Sequence, residues 1–209
     1  MDNYQETAKT WNKMASLYEE KFMHLDLYNE TYDAILATIP KQNAKVLEIG
    51  CGPGNIAKYL LTKRPYLDYF GTDIAPKMVE LAKKNIPNAR FALLDSRNLG
   101  VLKDRFDAIV CGFCLPYITS KDLPKFLSDC ANKLNSKGIL YISFVEGDPK
   151  DSNFKTNNTG DRVFFNYYKL NELKKELLAC GLKDVSVLFV DFPRGEDVVE
   201  KHSILLARK

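Results

Sequence analysis

The segment Glu48-Ile49-Gly50-Cys51-Gly52-Pro53-Gly54-Asn55 concentrates residue types with a clear chemical use. Glycine lacks a Cβ, so its backbone adopts angles closed to other residues and lets a ligand approach closely. A helix starting just after such a turn offers free N–H groups in its first turn. A carboxylate, Asp73, stands 23 residues after Gly50, and a third acid, Asp95, follows. Each of these acids ends an apolar run. A carboxylate at Asp73 can accept hydrogen bonds from both hydroxyls of a ribose. The order is therefore acid, three alternating glycines, acid, acid.

Two nucleotide-loop patterns come close and fail. The dinucleotide fingerprint G-x-G-x-x-G needs a glycine where Asn55 stands, and the third glycine comes one place early, at Gly54. The phosphate loop needs a Gly-Lys-Ser or Gly-Lys-Thr, and none follows.

Such a loop needs a sheet to hold it. Residues 45–50, 67–73, 90–95, 106–112 and 138–145 read as strands, the last being the most hydrophobic. Helical patterns fall at 55–63, from Pro76 to about Asn85, and at 121–134 with Asp122 near its start. Near-continuous apolar strands suit a parallel sheet covered on both faces, and the alternation predicts a doubly wound α/β fold. At the N-terminus, Trp11, Ala15, Tyr18 and Phe22 form an apolar stripe at helical spacing over 3–22, and a second helix is expected near 28–38. The polar stretch after Val145 is long for a structureless connection, so a functional loop or an ordered lid is expected. A helix at 170–180 stops at Gly181, and two strands follow near 185–192 and 202–208.

Composition sets the bounds. The chain has 209 residues, 45% hydrophobic and 27% charged, which is globular. Thirty basic against 27 acidic residues is too balanced to argue for nucleic acid or a membrane surface as partner. No apolar run approaches the ~18 residues of a membrane span. The polar start does not read as a secretory signal. Five cysteines read as free thiols, which fits a cytoplasmic protein.

Taken together, residues 46–55, 71–82 and 106–143 resemble the class I S-adenosylmethionine-dependent methyltransferases, and the resemblance runs from about Tyr4 to the end. The tail at 167–182 is similar to the helix before strand six in many small bacterial members. The resemblance implies S-adenosyl-L-methionine as cofactor and a seven-stranded Rossmann-like sheet, order 3-2-1-4-5-7-6, with strand seven antiparallel. It implies one methyltransferase domain over 1–209, with 1–40 as a helical cap and 147–168 as a loop insertion near the pocket. Cofactor contacts then fall on Glu48, Gly50, Gly52, Asp73, Ile74 and Gly112, and on Cys51 through its backbone. Asp95 and Ser96 are expected at the adenine, with a plain turn as the alternative. Met78 is either core or adenine packing. Tyr18 resembles the tyrosine that closes over the methionine end of the cofactor.

The implied reaction is in-line attack by a small-molecule O, N or S acceptor on the sulfonium methyl. Candidate catalytic groups are Glu146, Tyr117 and Tyr168, with Asp148 and Tyr167 nearby. Leu115-Pro116-Tyr117 resembles the Asn-Pro-Pro-Tyr motif of amine and nucleic-acid methyltransferases, but its register is shifted and the Asn is absent. Cys111-Gly-Phe-Cys114 has no second pair or nearby His, so no metal is expected and the thiols read as inert. His202 reads as structural, and His24 has no assigned place. The expected partner is a small molecule, not nucleic acid or membrane, with the chain a monomer or weak homodimer. An RNA or protein methyltransferase would show an added domain or basic stripe. A non-catalytic binding module would show a degraded glycine loop. A nicotinamide-dependent oxidoreductase is disfavoured by Asn55.

Overall fold

The computed structural model describes residues 3–39, 41–195 and 198–209. Two helices open the chain, α1 (Asn3–Phe22) and α2 (Asn29–Thr38). Strand and helix then alternate through β1 (Lys45–Ile49), α3 (Asn55–Lys63), β2 (Asp68–Asp73), α4 (Pro76–Asn85), β3 (Arg90–Leu93), β4 (Phe106–Gly112), α5 (Leu123–Lys133) and β5 (Leu134–Val145). The remainder is β6 (Asn153–Thr156), β7 (Arg162–Phe165), α6 (Leu170–Ala179), β8 (Lys183–Pro193) and β9 (Val199–Arg208).

Seven strands form one sheet in the order β3-β2-β1-β4-β5-β9-β8. β1 to β5 pair in parallel, and β9 runs antiparallel to both β5 and β8. This is the order expected from the sequence, with β8 and β9 as its sixth and seventh strands. Successive residues of a strand point to opposite faces. Val46 accordingly packs with Ile35, Ala57, Leu60 and Ala82 on the α2–α3–α4 side. Leu47 packs with Phe126, Leu127, Leu173 and Leu177 on the α5–α6 side. Both faces are thus covered, which is why β1 and β4 read as near-continuous apolar runs.

The stretch after Val145 differs from a plain loop. It folds into a two-stranded hairpin, β6 with β7. Phe154 and Phe164 meet edge to face at 5.1 Å, and the Arg162 guanidinium lies 4.1 Å over the Phe154 ring. Asn157 holds the turn through its side chain, which accepts from the Thr159 and Asp161 N–H groups. Four-residue strands flanked by Asn, Asp and Lys carry too little apolar periodicity to be seen locally. No helix among the described residues is long and apolar enough to cross a membrane.

Candidate functional site

The glycine loop leaves β1 at the carboxyl edge of the sheet, beside the end of β2. The Gly50 and Cys51 N–H groups both donate to Thr72 O, at 2.8 and 2.9 Å. Gly50 has φ +70°, and a Cβ there would stand 2.8 Å from Cys114 Cβ. Gly54 has φ +93°, and a Cβ there would stand 2.3 Å from Ile86 Cδ1. Both need glycine on conformational and packing grounds together.

Two carboxylates face this loop. Asp73 Oδ2 accepts from the Gly52 N–H and Oδ1 from the Ala75 N–H, each at 2.9 Å. One side chain thereby ties the glycine loop to the start of α4. Burial pushes its pKa upward, while the N–H groups of Ala75, Gly52 and Ile74 oppose that shift. Glu48 is 1% exposed. The Tyr69 hydroxyl donates to its Oε2 at 2.7 Å, and Oε1 is buried without a hydrogen-bond partner. Burial pushes the Glu48 pKa up to about 8, against the Tyr69 hydrogen bond that lowers it.

A cavity of about 330 Å³ opens over these groups. Tyr18, Glu48, Gly50, Gly52, Asp73, Ile74, Met78, Ser96 and Gly112 all line it. Met78 lines the cavity and also packs against Ala15 and Ala75, as a core residue does. The Tyr18 ring closes over the loop, 3.6 Å from where a Gly52 Cβ would lie. Tyr117 lines the same space, its ring centroid 5.6 Å from Trp11 and 6.1 Å from Phe165.

Four of the expected residues are not brought to the cavity. The Cys51 side chain is 1% exposed within the helix-covered core, and its N–H is committed to Thr72. Asp95 turns to Arg97: its carboxylate accepts from the guanidinium and from the Arg97 N–H at 2.9 Å. The cavity wall there is Leu94 and Ser96 instead. Glu146 is exposed and accepts from the Leu170 N–H at 3.0 Å, at the start of α6. Tyr168 is 6% exposed among the α5–α6 side of the core, where its hydroxyl donates to Ile118 O. The reason is strand alternation: Val145 faces the cavity, so its neighbour Glu146 faces away and bridges to Tyr168. Neither neighbouring candidate lines it: Asp148 accepts from the Lys150 N–H, and Tyr167 packs against Phe165.

The cavity also gathers residues that no local motif marked. Tyr28, Phe113, Phe165 and Phe192 join Trp11 of the α1 stripe to make it an aromatic chamber. His202, read as structural from the sequence, stands in its wall. The Tyr28 hydroxyl lies 2.7 Å from His202 Nδ1, and Glu200 Oε1 lies 2.6 Å from Nε2. Arg194 donates to the same Glu200 oxygen at 2.7 Å. The only available signal was alternation along β9, and alternation alone cannot say what lies across from a strand.

Comparison with known proteins follows the same outline. A family described as a methyltransferase domain matches residues 46–138. Demethylmenaquinone methyltransferase of Thermotoga maritima is 35% identical over 98 residues, 47% of this chain and 42% of that protein. The chain spans about half the length of the curated relatives it matches. Among solved structures, a DhpI–SAH complex superposes with a TM-score of 0.74 at 16% identity, over 98% of this chain and 96% of that one. Burkholderia thailandensis 1,6-didemethyltoxoflavin-N1-methyltransferase, with 1,6-didemethyltoxoflavin and S-adenosylhomocysteine bound, superposes with a TM-score of 0.73 at 20% identity, over 100% and 91%.

Proposed function

We propose that this chain, whose residues 46–138 match a methyltransferase-domain family, is a class I S-adenosylmethionine-dependent methyltransferase that moves a methyl group to a small-molecule O, N or S acceptor by in-line displacement. We take 1–209 as one domain, with 1–40 as its helical cap and 147–168 as its pocket-side insertion. The observation that carries the reading is Glu48 Oε1, a buried acceptor without a partner on the cavity wall beside the glycine loop. A buried carboxyl oxygen without a partner is costly until a ligand supplies one, and a cationic donor there favours the ionised form of Glu48. The ammonium of a methionine moiety is such a donor. When bound, S-adenosylmethionine supplies a methyl group on a positively charged sulfur, already activated toward attack.

The chain's own part is binding and orientation. Asp73 keeps lone pairs free beyond its two N–H partners and accepts the ribose hydroxyls. Ile74, Met78 and Ser96 pack around the adenine, and Tyr18 closes over the methionine end. Trp11, Tyr117 and Phe165 hold the acceptor against the methyl and keep water out. Orienting two reactants in this way can save ~7–11 kcal/mol of barrier. The small-molecule complex of the Burkholderia neighbour supports this class of acceptor. Calorimetric titration with S-adenosylhomocysteine should give a one-to-one complex. Tight NADH binding with no response to S-adenosylhomocysteine overturns the reading. A labelled-methyl screen against small-molecule extracts, RNA and protein tests the acceptor, and label found only in RNA or protein overturns that part.

A further inference from the structure

We infer that Tyr28, backed by His202 and Glu200, takes a proton from the methyl acceptor, so that the acceptor is a planar molecule with a weakly acidic O–H or ring N–H. The inference rests on the methyltransferase reading above and names the substrate class of that site.

Both imidazole nitrogens of His202 are occupied, and their partners dictate the tautomer. Glu200 Oε1 is 2.6 Å from Nε2, and a carboxylate only accepts, so Nε2 carries the hydrogen and donates. Nδ1 is then the acceptor, and the Tyr28 hydroxyl donates to it at 2.7 Å. Tyr28 and His202 both line the cavity, and Tyr28 keeps lone pairs for a group inside it. This is the order of a nucleophile–base–orienter triad, with a phenol at its open end. Phe192 stacks on the imidazole at 5.0 Å and Phe113 meets it edge-on at 4.8 Å, which fixes the ring.

The charges around the triad suit a proton acceptor. Burial holds His202 below the ordinary imidazole range, and Arg194 adds to this while Glu200 partly offsets it. The imidazole is therefore neutral near pH 7 and free to take a proton. Burial works against the Glu200 charge, but the hydrogen bonds from Arg194 and His202 hold it below the usual carboxylate range. Burial raises Tyr28, as do neighbouring Tyr18, Tyr141 and Glu200, with Arg194 opposing. Tyr28 thus stays a neutral phenol and accepts a proton only by passing its own to His202.

The step balances. The acceptor's X–H proton goes to the Tyr28 oxygen as the Tyr28 proton goes to Nδ1. The freed X electron pair forms the bond to the methyl carbon. That carbon's bond to sulfur breaks, and its electron pair stays on sulfur. The positive charge lost from sulfur ends on the imidazolium, beside Glu200. Glu146 and Tyr168 lie outside the cavity and cannot serve, while Glu48 and Asp73 face the glycine loop. An acceptor without an ionisable proton has no use for such a chain. The aromatic walls at Trp11, Tyr117 and Phe165 suit a flat ring.

The chain contains only two histidines, so ¹⁵N-imidazole NMR gives two sets of signals, and His24→Gln assigns them. The expected result is a neutral His202 with hydrogen on Nε2 at pH 7. Hydrogen on Nδ1 overturns the proposal. In kinetics, 4-methylphenol, 4-methylcatechol and N–H purines are compared with 4-nitrothiophenolate, which has no proton to lose. With the protonated acceptors, Tyr28→Phe should lower kcat by roughly 100-fold or more, the scale of general base catalysis, with S-adenosylhomocysteine affinity unchanged. Transfer to the thiolate should stay within severalfold. In wild type, kcat rises with pH through the imidazole range, and Glu200→Gln should move that midpoint to lower pH, a shift a structural contact does not produce. His202→Asn should repeat the Tyr28→Phe pattern, and Glu200→Gln stands in for it where it fails to fold. Equal losses with both acceptor types, or no methylation of any phenol or N–H ring by a protein that binds S-adenosylhomocysteine, overturns the proposal. Absence of S-adenosylhomocysteine binding in wild type overturns the reading beneath it as well.

Discussion

Asp73 is the residue on which binding and local structure meet. Its two oxygens accept the Gly52 and Ala75 N–H groups, so it shapes the loop it would also complete. Charge-assisted hydrogen bonds contribute about 1.5–3 kcal/mol each, and about 1.4 kcal/mol is tenfold in affinity. Asp73→Asn should therefore weaken S-adenosylhomocysteine binding at least ~10-fold by calorimetry. The amide has one accepting oxygen, so either Gly52 or Ala75 loses its partner and the melting temperature should fall with the affinity. An unchanged dissociation constant in a folded Asp73→Asn protein refutes the ribose assignment. Asp73 was legible from its place after the second strand. Asp95 was equally placed, yet Arg97, two residues on, claims its carboxylate. Position in a pattern says which residue arrives at the sheet edge, and local ion pairs decide which way it faces.

At the scale of elements, α1 and the β6–β7 hairpin act as one cover. Thr10 Oγ1 donates to Arg162 O at 2.7 Å, Lys13 pairs with Asp161 at 2.6 Å, and Glu6 pairs with Arg162. Trp11 and Tyr18 reach from α1 into the cavity wall. These exposed ion pairs contribute little each, and α1 is anchored besides by its buried Tyr4, Thr7 and Ala15. Hydrogen exchange over residues 8–22 and 153–165 should slow severalfold when S-adenosylhomocysteine binds, with β1 and β4 unchanged. Equal, strong protection of residues 8–22 in both states means that α1 is permanently docked core and overturns a closing role for this cover. Arg162→Ala should speed exchange in both segments together while leaving global stability nearly unchanged. The stripe on α1 announced an element that must pack on something. Its partner was hidden, because the hairpin is polar in sequence and takes its order from Asn157, Phe154 and contacts with α1.

At the scale of the whole molecule, Glu48 sets a pH dependence of stability. Its folded pKa is about 8 against an ordinary 4.5, because it is buried. Between those values the folded protein binds a proton that the unfolded chain has released. The contribution of Glu48 to stability should therefore be full below about pH 4.5 and be lost as pH rises through about 8, by at most ~1.4 kcal/mol per pH unit. Denaturant melts of wild type and Glu48→Gln across pH 5–9 measure the difference, and the variant should lose that slope. Bound S-adenosylhomocysteine should also flatten it, since its ammonium favours the ionised carboxylate. A slope unchanged by Glu48→Gln refutes the assignment.

The sequence by itself determined the sheet and the loop. Turn glycines, strand-end acids and apolar periodicity are encoded within a few residues, and β1, β2, β4 and β5 carry them plainly. Strand order came from the resemblance to a known family, since apolar periodicity says only that buried parallel strands need crossover helices. Tertiary structure alone decided what faces the cavity. Tyr28 and His202 are 174 residues apart and meet only because β9 inserts beside β5, setting His202 against Val145. Alternation then turned Val145 inward and Glu146 outward, which removed Glu146 from the cavity, while distant segments brought Tyr28, Glu200 and Arg194 to its wall. Short-range sequence records how each segment folds, whereas a side chain's facing depends on partners that the chain meets only after its distant strands have paired.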